Sequence, residues 1–162
     1  MDTYATPLGD IKLDKEVIKE LYDTGSFDWM DKSVDEDEHS IEMQLPFIAN
    51  RMQGNTSYTL VPVLVGSLSK DSEKLFGSIF SKYLADDSNF FVISSDFCHW
   101  GKRFNYTYYD VDAGPIHKSI ELLDREGMKI IESQHIEEWY SYLKSYKNTI
   151  CGRHPIGVFL NV

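Results

Sequence analysis

The apolar run Asn89-Phe90-Phe91-Val92-Ile93-Ser94 stops abruptly at Ser95-Asp96-Phe97-Cys98-His99-Trp100-Gly101, where a carboxylate, a thiol and an imidazole crowd into four residues. A short run of this kind, bounded by turn-forming and polar residues, reads as a buried strand. In open α/β folds, ligands sit just beyond the carboxyl ends of the strands. The junction at residues 94–101 is therefore the expected edge of a functional crevice, with His99 the leading candidate and Asp96 placed to orient it.

The flanking sequence supports the same architecture. Residues 58–65 are rich in β-branched side chains and close at Gly66, as a strand would, and Pro62 assigns that strand to an edge or a bulge. Between the two runs, residues 71–84 carry Leu75, Ile79, Phe80, Tyr83 and Leu84 at helical spacing. Strand, helix and strand in that order predict a βαβ unit with parallel strands. Residues 14–22 predict a helix capped by Asp14, with Val17, Ile18 and Leu21 as its apolar stripe and an end near Thr24-Gly25. Residues 28–38 read as a loop. The acidic run Asp35-Glu36-Asp37-Glu38 leads into a helical pattern over 39–48, where Ile41, Leu45 and Ile48 recur and Pro46 should kink or split the helix. Residues 114–132 and 136–146 predict two more helices, the first broken or divided at Gly127. With no linker, repeat or low-complexity tract, residues 1–162 read as one α/β domain.

A net charge of -10 and a pI near 4.8 oppose nonspecific nucleic-acid binding, which needs clustered Lys and Arg. No stretch approaches the ~18–20 apolar residues of a membrane span, and residues 1–4 have neither a basic nor an apolar leader region, so a cytoplasmic location is expected. Cys98 and Cys151 are too few for a disulfide framework and are expected as thiols; a Cys98–Cys151 disulfide is the alternative.

Each candidate side chain has a structural and a chemical reading. His99 can serve as a general acid/base, its imidazole titrating near ~6.5 when unperturbed, or as a satisfied structural histidine. Asp96 can orient it or tie down loop amides. Cys151 precedes Gly152-Arg153 at the expected start of a helix, where dipole and guanidinium favour thiolate; the other reading is a buried inert thiol. Alternation along a strand turns Cys98 away from His99 and assigns it to packing. His39 fits a helix cap or the crevice, and His154, extended because it precedes Pro155, could line the site. His117 and His135 fall on surface positions. Trp100, Lys102, Arg103 and Tyr106 suit recognition of a phosphate-bearing peptide, whereas Phe104, Tyr106, Tyr108 and Tyr109 can equally pack a loop on the sheet. A cysteine hydrolase built on Cys98 or Cys151 with His99 and Asp96 would need an oxyanion hole as well.

Four blocks carry a family resemblance: Glu36-Asp37-Glu38-His39-Ser40-Ile41-Glu42-Met43, Val61-Pro62-Val63-Leu64-Val65-Gly66, Ser94-Ser95-Asp96-Phe97-Cys98-His99-Trp100-Gly101 and Asn148-Thr149-Ile150-Cys151-Gly152-Arg153-His154-Pro155. Together they resemble the Memo family, the mediators of ErbB-driven cell motility, over essentially the whole chain. The resemblance implies an αβα sandwich like that of the class III extradiol dioxygenases. It also implies a strand-end site that binds iron or copper through two histidines and a cysteine, with a further histidine at the acid/base position. The cysteine corresponds to Cys151 and the further histidine to His99. The family's two metal-binding histidines lie in N-terminal motifs of Pro-His-Ala-Gly and Gly-Pro-Ser-His-His type, which this chain lacks. The expectation is thus a C-terminal portion, truncated at both ends, with an incomplete sandwich. A non-haem oxygen-activating iron site takes two histidines and one anionic ligand, so only Cys151 is left to hold metal, and weakly. The implied function is non-enzymatic: a signalling adaptor linking receptor tyrosine kinases to the microtubule cytoskeleton and cell migration. A phosphotyrosine-bearing receptor peptide would lie in the vestigial crevice against His99, Trp100, Arg103 and Cys151, with cytoskeletal regulators as further partners. The alternative is an iron- or copper-dependent oxidoreductase.

Overall fold

A computed structural model describes residues 2–55 and 57–162. They form a mixed α/β structure of eight α-helices and one two-stranded antiparallel sheet, and they divide into two compact units, one ending at Leu64 and one spanning Val65–Val162. Among the described residues no helix is long and apolar enough to cross a membrane.

In the first unit, β1 (Thr3–Tyr4) pairs antiparallel with β2 (Ile11–Lys12), Tyr4 opposite Ile11. Helix α1 (Lys15–Asp23) begins as its sequence predicts: the Asp14 carboxylate accepts the Val17 amide at 3.0 Å, and its other oxygen takes the Thr59 hydroxyl at 2.9 Å. The acidic run forms a short helix, α2 (Lys32–Asp37), where a loop is expected. It has no buried residue, so no apolar stripe announces it; Lys32 and Glu36, one turn apart, pair at 3.1 Å. The helix expected over 39–48 is split into α3 (His39–Glu42) and α4 (Leu45–Arg51). Pro46 lies in the first turn of α4, where its missing amide hydrogen breaks no intrahelical bond. Ile11, Leu45 and Ala49 form the core, with Tyr4, Ile41, Ile48, Tyr58 and Leu60 packed on it.

The predicted βαβ unit does not form. Of residues 58–65 only Leu60 bridges, in parallel to Leu13, and residues 89–94 run extended without a ladder. Strand formation requires a neighbour for the backbone amides and carbonyls, and none of the described residues supplies one there. Phe90 consequently stands 90% exposed, with Val92 and Ile93 also open. Phe91 packs this segment between Phe80 and Phe159, with ring centroids 6.0 Å from each, and Asn89 Nδ2 donates to the Tyr83 carbonyl at 2.9 Å.

The second unit packs α5 (Lys70–Leu84), α6 (Ile116–Ser133), α7 (Ile136–Tyr146) and α8 (Arg153–Leu160). Its core holds Tyr106, Leu123, Trp139, Tyr142, Ile150 and Ile156, with Trp139 stacked on Tyr142 at 5.7 Å. The buried positions of α5 are Glu73 and Gly77 rather than Leu75 and Leu84, which are exposed. That face meets α8. A Cβ on Gly77 would lie 2.7 Å from the Asn161 backbone, and one on Gly157 would strike the Glu73 carboxylate. Helix α6 continues through Gly127, which is there for close approach and not as a break: its Cβ would sit 3.1 Å from the Tyr142 ring.

Candidate functional site

The extended segment through Asp96 and the turn before α8 are brought together by backbone. The Cys151 amide donates to the Asp96 carbonyl at 3.1 Å, and the Gly152 amide to Ser95 Oγ at 2.9 Å. Only glycine fits at position 152, because an added Cβ would lie 2.7 Å from the Ser94 carbonyl oxygen. On the other side, the Cys98 amide donates to both Asp124 oxygens at 3.3 Å, tying the segment to α6. Asn148 Nδ2 donates to the same carboxylate at 2.9 Å and to the Tyr142 hydroxyl at 2.8 Å.

These constraints place His99 beside Cys151, 52 residues away in sequence. Cys151 Sγ lies 3.7 Å from His99 Nε2, and Asp96 Oδ2 lies 3.8 Å from the same nitrogen. His99 Nδ1 is 2.9 Å from the Thr149 carbonyl oxygen. A carbonyl only accepts, so Nδ1 carries a proton and donates, while Nε2 is the ring nitrogen nearer both the thiol, which lies 3.9 Å from Nδ1, and the carboxylate. Thr149 fixes the ring further: its Oγ1 accepts the His99 amide at 2.7 Å and donates to the His99 carbonyl at 2.9 Å. One atom from each of Asp96, His99 and Cys151 lies within 4.8 Å of the others, a group that could hold a metal ion. Tetrahedral ligands at normal Zn–N and Zn–S bond lengths stand about 3.4–3.6 Å apart, close to the two distances from His99 Nε2. A carbonyl bound to the second ring nitrogen is also the usual support of a metal-ligating histidine.

A tight loop carries the rest of the crevice. Gly101, at φ 125°, donates to the Tyr106 carbonyl at 2.7 Å and opens the 3-10 turn Lys102–Phe104, which closes at Asn105 in the left-handed region. Phe104 lies against His99, ring centroids 5.0 Å apart, and the Arg103 guanidinium stands 5.7 Å from the Phe104 centroid. Lys102 and Arg103 are exposed and have no carboxylate partner among the described residues. Trp100 is turned into structure: its Nε1 donates to the Tyr108 carbonyl at 2.7 Å and its ring packs on the core. Tyr106 likewise is core, donating to the Tyr146 carbonyl at 2.9 Å, and burial pushes its phenol up to about 12.

Both cysteines are free thiols. Cys98 packs on the core as alternation predicts; burial, with the Asp124 carboxylate adding to it, raises its thiol above the ordinary value. His154 departs from its expected extended conformation. It is helical, in the first turn of α8 with Pro155, and its Nδ1 donates to the buried Glu73 at 2.7 Å. His39 opens α3 in the first unit, while His117 and His135 are exposed as expected. Sequence reasoning missed Thr149, Ser95 and Asp124. Their roles are contacts made across 26 to 57 residues, for which no local pattern exists.

The whole chain, residues 1–162, matches the Memo-like protein family. It is 56% identical over 162 residues to Protein MEMO1 of Homo sapiens and 58% identical to Protein MEMO1 of Xenopus laevis, covering 99% of this chain and 54% of each relative. Protein memo-1 homolog of Caenorhabditis elegans is 50% identical over 158 residues, 97% of this chain and 45% of the relative. The chain thus spans about half the length of the curated relatives it matches, and with a full-length family match and identities at this level it belongs to the Memo-like protein family.

Proposed function

We propose that the chain supplies the recognition crevice of a non-enzymatic Memo signalling protein, which holds a phosphotyrosine-bearing receptor peptide beside His99 and links receptor tyrosine kinases to the microtubule cytoskeleton and cell migration. The observation that carries this reading is the Lys102–Phe104 turn, which sets an aromatic ring against His99 and carries two exposed cations, without ion-pair partners among the described residues, next to that ring in the chain. Guanidinium pairs with phosphate through charge-assisted hydrogen bonds, and a ring face supplies rigid contact area for a tyrosine. Fluorescence polarisation with a phosphotyrosine peptide tests it. The phosphorylated peptide should bind at least about tenfold more tightly than its unphosphorylated form, and Arg103→Ala should remove most of that difference. Equal affinity for the two peptides would refute the reading.

A second reading, an iron- or copper-dependent oxidoreductase, is favoured by the convergence of Asp96, His99 and Cys151. One imidazole, one sulfur and one carboxylate suit a borderline to soft transition metal. Cys151 and His99 would hold the ion with Asp96 completing three protein donors, and the metal would supply redox chemistry when bound. Thr149 keeps the His99 proton on Nδ1 and so holds Nε2 ready as ligand or base. Metal analysis decides: copurification of near one equivalent, lost in Cys151→Ala, supports this reading, and a metal-free chain that still binds phosphopeptide opposes it.

A further inference from the structure

The second unit contains a cavity of about 460 Å³ whose wall collects a disproportionate share of the chain's positive charge. Lys70, Lys144, Lys147 and Arg153 line it together with His154, in a chain whose net charge is -10. All four strong cations are exposed, and none has a carboxylate partner within ion-pair distance among the described residues. Lys15, Lys19, Lys32, Lys118 and Arg125, by contrast, each hold an acidic neighbour, whereas Lys102 and Arg103 of the crevice turn hold none among the described residues.

The one carboxylate in this wall, Glu73, is buried and makes no ion pair with the four cations. Its two oxygens are engaged by His154 Nδ1 and by the Tyr140 hydroxyl, each at 2.7 Å. Asn161 Nδ2 completes the network by donating to the Tyr140 oxygen at 3.1 Å. The Lys70 ammonium lies over the Tyr140 ring, 3.9 Å from its centroid, so the charge itself is held on the wall. Arg153 spends one donor on the Ile150 carbonyl at 3.3 Å and keeps the others. Four like charges lining one concavity repel one another, and a cleft lined mainly by one sign concentrates counter-ions.

We infer that this cavity is a binding site for a small phosphate ester carrying at least two negative charges. Its volume lies within the range of small-molecule pockets, and three lysines with one arginine match an anion of several oxygens better than a single carboxylate. A nucleic acid is a poor occupant, because the rest of this acidic chain repels an extended polyanion. The site is separate from the His99 crevice, although Thr149 lines the cavity and also orients His99.

Isothermal calorimetry of the chain with inorganic pyrophosphate at low ionic strength, with acetate as the singly charged control, tests the assignment. Pyrophosphate should bind saturably, and acetate should not. Lys144→Glu combined with Lys147→Glu should weaken pyrophosphate binding at least about tenfold, while Lys144→Arg combined with Lys147→Arg retains it and the thermal midpoint is unchanged in both. Arg103→Ala, in the crevice, should leave pyrophosphate affinity untouched, so that the two sites succeed or fail separately. Absence of saturable binding, equal binding of acetate, or a loss that follows Arg103 instead of the two lysines would overturn the inference.

Discussion

Cys98 and Cys151 are the same chemical group in two environments, and the contrast makes the residue scale testable. Cys98 is partly buried on the core, its thiol raised by desolvation and by Asp124, whereas Cys151 is exposed at the end of the tight turn set by Gly152. Alkylation proceeds through the thiolate, so a raised value and restricted access act in the same direction on Cys98. Iodoacetamide at neutral pH should modify Cys151 first, with Cys98 at least about tenfold slower in the folded chain and the two rates converging in denaturant. Peptide mapping by mass spectrometry reads both. Comparable rates in the native chain would show that Cys98 is not held as described. The same tight turn makes the crevice depend on a residue outside it: Gly152→Ala pushes against the Ser94 carbonyl and must move Cys151 away from His99 or open the segment.

At the scale of elements, the contact between α5 and α8 is made by two glycines facing polar groups. Gly157 lies against the buried Glu73, whose carboxylate is fixed by His154 and Tyr140 and so has little room to retreat. Gly157→Ala should cost about 1–3 kcal/mol, read as a lower midpoint in urea unfolding with unchanged slope. Gly66→Ala is the control: an added Cβ there meets nothing within 4 Å and its φ is not positive. That substitution should be neutral or stabilising by up to about 1 kcal/mol, through the unfolded state. If the two behave alike, the helix contact is not as tight as the geometry requires. The helices were largely legible in the sequence because their signals are local. Asp14 and the stripe behind it mark α1, Pro46 marks the division between α3 and α4, and the apolar spacing marks α6 and α7. The strands were not, because an apolar run specifies a wish for burial and not the identity of its ladder partner, and residues 89–94 have none among the described residues. The site was half legible for the same reason. Asp96 and His99 share one segment, and Cys151 could be named as a thiol near a helix start, but Thr149 joins His99 only through the fold.

For the molecule as a whole, the largest electrostatic commitments at high pH are phenols rather than surface ion pairs, which contribute little when exposed. Burial pushes Tyr106 and Tyr140 up to about 12, with Glu73 adding to the shift at Tyr140. Tyr142 and Tyr4 are raised as well, again chiefly by desolvation, and Tyr4 donates to Asp35 in the first unit. Unfolded, each phenol would titrate near ~10. The folded state therefore keeps protons that the unfolded state loses, so the stabilisation is complete below about pH 10 and is lost as pH rises toward about 12. Stability should hold level between neutrality and about pH 9 and then fall steeply, with denaturant midpoints dropping at each step above pH 10. Phenolate absorbance gives the second readout. Some of the ten tyrosines should ionise normally, while the buried group ionises late and together with loss of the circular dichroism signal. Ionisation of every tyrosine near pH 10 with the fold intact would contradict the buried hydroxyl network that joins Tyr142 to Leu123 and Asn148, and with it the packing that positions residues 148–151 beside His99.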